Sequence, residues 1–93
     1  MSAESAVSRD VVITNKRGLH ARASAKFVQM AESFHADIEV TKTGESALAT
    51  SIMGLMMLGA GLGSTVTLSG TGQEADEAIA ALARLIEDKF GEE

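Results

Sequence analysis

The sequence predicts an α+β domain of order βαββαβα, a four-stranded antiparallel sheet with three helices on one face. Alternating or β-branched stretches recur at residues 10–14, 37–42, 46–49 and 65–69, and each reads as a strand. Residues 21–33 and the stretch after Thr71 carry apolar side chains at helical spacing, and a short apolar run at 52–58 follows a capping serine. The chain has 93 residues, which suits one domain with a modest core. Its hydrophobic fraction of 45% and charged fraction of 23% are those of a folded chain.

Residues 1–8 are small, polar and acidic and read as a flexible tail, ahead of a single domain over 9–93. Asp10-Val11-Val12-Ile13-Thr14 is the first strand, and Asn15-Lys16-Arg17-Gly18 a polar turn. In the first helix, Ala21 to Ser33, the residues Ala21, Ala25, Val28 and Ala31 or Glu32 trace one stripe, widened by Phe27, Met30 and Phe34. Asp37 to Lys42 alternates with Ile38 and Val40 inward, then turns through Thr43-Gly44 into a returning strand over 46–49. Ser51 caps the helix over 52–58, with Ile52, Leu55 and Met56 on one side, and Gly59-Ala60-Gly61-Leu62-Gly63 ends it. Thr65 to Ser69 alternates again, with Val66 and Leu68 inward. Thr71 and Glu74 have capping-box spacing ahead of the last helix. That helix has Ala75, Ala78, Ile79, Leu82, Leu85, Ile86 and Phe90 on its stripe. Periodicity leaves the strand order open.

Composition narrows the function. Without cysteine there is no disulfide framework, thiolate metal site or thiol nucleophile. A formal charge of −5 opposes nonspecific nucleic-acid binding, and Trp and Tyr are absent as stacking platforms. The N-terminus lacks a basic start followed by an apolar run, so it does not read as a secretory signal. The apolar stretch from Ile52 to Leu62 is broken by Gly54, Gly59 and Gly61 and falls short of the ~20 residues that span a bilayer. A cytoplasmic protein with no membrane partner is expected. The glycines at 59, 61 and 63 do not make a nucleotide-binding loop, because they follow a helix, enter a strand and lack the Lys-Ser/Thr of a P-loop.

His20 directly precedes the first helix, where unpaired backbone amides favour an anion. A phosphoryl group on its ring would meet waiting donors, and a neutral ring keeps one nitrogen free to attack. Arg22 adds a charge-assisted donor, and Lys16 and Arg17 make the approach basic. Position alone also fits a polar residue in an exposed turn. His35 has no neighbour at metal-ligand spacing and reads as structural, and with two histidines and no convincing third ligand no metal site is expected. Ser51 is fully explained as a helix cap, while phosphorylation there is also compatible with a helix N-terminus. The apolar residues of 52–58 either fill the core or form an exposed docking patch.

Gly18-Leu19-His20-Ala21-Arg22, followed by Ser51-Ile52-Met53-Gly54-Leu55-Met56, resembles HPr, the histidine-containing phosphocarrier family of the bacterial phosphotransferase system. The resemblance extends over nearly the whole chain and implies the HPr-like open-faced β-sandwich. It implies that His20 is phosphorylated on Nδ1 by enzyme I, that Arg22 contacts the phosphoryl group, and that the group passes to a IIA-type protein. It further implies that Ser51 is the regulatory serine of an HPr kinase/phosphorylase and that Ile52, Met53 and Met56 belong to the apolar surface partners use. A monomeric carrier without a cofactor follows, rather than an enzyme acting on small molecules by itself. The family usually has proline where this chain has Ala23, which removes a backbone restraint and no chemical group. The His-Ala-Arg-Ala-Ser form is similar to HPr proteins of alphaproteobacteria, often of the nitrogen-related branch. The competing reading is a protein-binding module that recruits or regulates a larger enzyme through the apolar helix 52–58.

Overall fold

Strand β1 (Val7–Val12) begins three residues before the Asp10 start expected from its β-branched run. The computed structural model describes residues 6–92, so the expected tail over 1–8 lies outside the described residues up to position 5, while Val7 and Ser8 pair with Gly70 and Ser69. After β1 come α1 (Ala21–Glu32), β2 (Asp37–Lys42), β3 (Glu45–Leu48), α2 (Ile52–Met57), β4 (Thr65–Thr71) and α3 (Ala75–Glu87). This is the expected βαββαβα order. All pairings are antiparallel and the sheet order is β1-β4-β2-β3, so β4, late in the chain, sits between β1 and β2. The sheet is open, and its helix-facing side chains, Val11, Ile38, Val40, Ala47, Val66 and Leu68, build the core with the helices. No helix among the described residues is long and apolar enough to cross a membrane.

Four helical details differ from the expected ones. The buried stripe of α1 is Ala23, Ser24, Phe27, Val28 and Ala31, whereas Ala21 is exposed. Small apolar side chains gain little from burial, so Phe27 and Val28 set the rotation of the helix. Thr71 does not cap α3: it is the last residue of β4, and Glu74 stands at the cap position without a side-chain cap bond. The Glu74 carboxylate instead accepts the backbone N–H of His35 at 2.7 Å, tying α3 to the turn before β2. On α3, Ala83 is buried and Leu85 only partly so, and Phe90 lies beyond the helix in a separate short turn, Lys89–Gly91. On α2, Leu55 is buried while Ile52 and Met56, expected on the same side, are exposed. A helix of six residues against one sheet edge covers only one row of side chains.

Candidate functional site

Asn15 to Arg22 descend from β1 to the first turn of α1 through a loop that is braced from both sides. Gly18 has φ +62°, and a Cβ there would collide with the Ala60 carbonyl oxygen and the Gly61 Cα. The Leu19 N–H donates to the same Ala60 oxygen at 2.9 Å. The glycine-rich segment after α2 therefore ends that helix and also seats the loop before α1. Inside the loop, the buried Asn15 donates through Nδ2 to the Gly18 oxygen at 2.9 Å, and the buried Ser24 hydroxyl donates to the Leu19 oxygen at 3.2 Å.

His20 is thereby fixed as the N-cap of α1, in extended backbone conformation. Its Nδ1 accepts the Arg22 backbone N–H at 3.3 Å. An accepting Nδ1 places the ring hydrogen on Nε2. Nε2 donates to Glu92 Oε2 at 2.5 Å. The ring is largely covered, with 18% of its side chain accessible. Arg22, the second residue of α1, is exposed, and among the described residues no carboxylate pairs with its guanidinium. Lys16 and Arg17 are also exposed, so the mouth of the site is basic within an acidic chain.

The segment after α3 supplies what the sequence reading missed. Lys89, Phe90 and Gly91 all have positive φ, which turns the chain back toward α1. For Lys89 and Phe90 that backbone costs ~1–2 kcal/mol each. Burial of the Phe90 ring, 1% accessible, returns about 3 kcal/mol, and Lys26 donates from Nζ to the Phe90 oxygen at 2.7 Å. Glu92 then lies between His20 and Asn15, whose Nδ2 donates to Glu92 Oε1 at 3.2 Å. The His20 hydrogen bond holds the Glu92 carboxyl below the usual carboxylate range against partial desolvation, and the Asn15 bond and the Arg17 charge act in the same direction. Phe90 followed by glycine was the one visible signal of this turn. An acidic residue near the end of a chain carries none.

Ser51 caps α2, and its Oγ accepts the Gly54 N–H at 3.0 Å. Gly54 makes room for it, since a Cβ there would stand 2.9 Å from that hydroxyl oxygen. Beyond the cap, Ile52, Met53 and Met56 are exposed, joined by Met57, Leu48 and Leu62. α1 and α2 pack against each other and the Ala60 carbonyl just after α2 accepts the Leu19 N–H, so His20 and the C-terminal end of α2 belong to one end of the molecule. His35 does not: it follows α1 at its other end, on the order of 20 Å away along the helix, and its carbonyl accepts the Glu74 N–H at 2.9 Å.

A family model described as the PTS HPr component phosphorylation site matches residues 7–88. The chain belongs to the HPr family. A phosphocarrier protein HPr of Cupriavidus necator is 51% identical over 86 residues, 92% of this chain and 97% of that one. A phosphocarrier protein NPr of Shewanella violacea is 45% identical over 86 residues, 92% of this chain and 94% of that one. The solved structure of HPr-C-His from Thermoanaerobacter tengcongensis superposes with a TM-score of 0.89 at 49% identity, covering 94% of this chain and 98% of its own. Membership of the HPr family carries the phosphocarrier role, which rests on a histidine site.

Proposed function

We propose that His20 accepts a phosphoryl group on Nδ1 from phosphorylated enzyme I and passes it to a IIA-type protein in the cytoplasm, the chain acting as a monomeric shuttle. The observation that carries this reading is the division of the ring: Nδ1 faces the first-turn amide of α1, and Nε2 is occupied by Glu92. A phosphoryl group on Nδ1 would sit where helix amides and dipole favour negative charge, with the exposed Arg22 as a further donor. Partners dock on Ile52, Met53 and Met56, which are exposed, and leave again because the contact is small.

Ser51 is the site for an HPr kinase/phosphorylase. A phosphate there adds about −1.5 to −2 charges at a helix N-terminus that tolerates them, so the fold survives. A partner pressing apolar surface onto α2 must desolvate that phosphate, so docking weakens. The His20-Ala21-Arg22-Ala23-Ser24 form supports the finer reading of an alphaproteobacterial, nitrogen-related carrier. Offering the phosphorylated protein nitrogen-related and sugar-related IIA acceptors tests that reading, and faster transfer to the sugar-related one contradicts it.

The test of the carrier function is incubation with enzyme I and phosphoenolpyruvate. The expected product carries one phosphate that is labile to acid and stable to base. An absent adduct, or an acid-stable one, favours the binding-module reading instead.

A further inference from the structure

We propose that Glu92 is a positioning residue for His20: its carboxylate takes the hydrogen on Nε2, holds the ring in the tautomer whose Nδ1 carries the lone pair, and faces the positive charge the ring acquires on phosphorylation. The inference rests on the reading of His20 as phosphoryl acceptor.

Three observations support it. The two ring nitrogens have opposite partners, a backbone donor at Nδ1 and a carboxylate acceptor at Nε2, so each contact reinforces the other's tautomer. Both side chains are largely covered, at 18% and 24% accessible, which separates this pair from the solvated ion pairs of a protein surface. And Glu92 is delivered by a built structure. Phe90 is buried beneath the turn, Lys26 holds its carbonyl, the Glu92 N–H donates to the Lys89 oxygen at 2.9 Å, and Asn15 holds the second carboxylate oxygen. Asn15 also holds the Gly18 oxygen, so the loop that presents His20 and the segment that presents Glu92 share one buried amide.

The transfer balances on this arrangement. The Nδ1 lone pair forms the new N–P bond while the bond from phosphorus to the donor breaks and its electron pair leaves with the donor. The hydrogen stays on Nε2, the ring becomes cationic, and Glu92 lies against that cation. On transfer to the acceptor the N–P electron pair returns to Nδ1, and the ring leaves as the neutral tautomer from which it started. A histidine oriented by a carboxylate on its far nitrogen is a recurrent arrangement in catalysis and in metal ligation.

The experiment uses the full chain with 15N-labelled histidine, as wild type, Glu92→Gln and Glu92→Ala. In the wild type the His20 shifts should report hydrogen on Nε2 alone, with the exposed His35 as the internal reference. Glu92→Ala should mix the tautomers and slow phosphoryl transfer from enzyme I by about tenfold, the lower range for partners that orient a histidine. Glu92→Gln should fall between, since one amide oxygen replaces two carboxylate oxygens that face two donors. Unchanged ring shifts in Glu92→Ala, or unchanged transfer rates in both variants, would overturn the proposal. Failure of the carrier reading looks different: His20→Ala would then accept full label, while the ring shifts would still report whether Glu92 holds the imidazole.

Discussion

At the start of α1 a histidine ring accepts the Arg22 amide at 3.3 Å, and at the start of α2 a serine hydroxyl accepts the Gly54 amide at 3.0 Å. Both caps sit in extended backbone, and neither helix has an acidic residue in its first turn. Ser51 is a preferred cap and needs only the missing Cβ of Gly54 beside it. Histidine is not among the preferred caps, and the α1 start is held by many more groups: Gly18 in the left-handed region, the Ala60 oxygen, Asn15, Ser24 and the returning segment with Glu92. An imidazole ring stands where an ordinary cap would serve stability better, and neighbouring structure holds it there.

The comparison breaks first at the chemistry. His20→Ala should abolish labelling from enzyme I and phosphoenolpyruvate with the fold intact, while Ser51→Ala and His35→Ala should label near normally. Full labelling of the His20 variant would remove the distinction between the two caps. Next is the support. Phe90→Ala should cost ~3–4 kcal/mol in urea unfolding, because a fully buried ring beneath the Glu92 turn is lost. A loss well under 1 kcal/mol would mean that the segment does not brace the α1 end.

Arg22→Ala should separate function from stability at the first site. The side chain is exposed, so unfolding should be nearly unchanged, while the transfer barrier from phosphorylated enzyme I rises by ~1–3 kcal/mol. Stopped-flow transfer at matched stability checks this, and an unchanged rate counts against Arg22 as a donor. At the second site the order reverses. Ser51→Ala should cost about 1 kcal/mol of stability and leave the transfer rate alone, and phosphorylated Ser51 should weaken enzyme I docking in titration calorimetry while backbone NMR shifts stay native.

The smallest effect is the pH dependence of the Glu92 contact. Its carboxyl is held below the usual range in the folded chain, first by the His20 hydrogen bond. The contribution is therefore complete above the unfolded-state carboxylate range and is lost as pH falls through the lowered folded value. Glu92→Gln should flatten that part of the acid limb of a stability profile, and an unaltered limb would show that the contact is not felt by the fold.

The βαββαβα order and the β2–β3 hairpin were legible because alternation and helical spacing are local properties of the chain. His20, Arg22 and Ser51 were legible as positions relative to helix starts. The strand order was not, since putting β4 between β1 and β2 depends on long-range pairing. Thr71 and Glu74 had the spacing of a capping box, but β4 kept the threonine and His35 took the carboxylate. Glu92 was invisible for the same reason. It lies 72 residues from His20 in sequence, and only the left-handed turn at Lys89 and Phe90, driven by burial of one ring, brings it back.

The most direct test of the account is the identity of the phosphorylated atom. A long-range 1H–15N spectrum of the phosphorylated, 15N-histidine-labelled protein, read for coupling to 31P, should place the N–P bond on Nδ1 of His20 with the hydrogen retained on Nε2. Phosphorus coupled to Nε2 of His20, or to either nitrogen of His35, would contradict it.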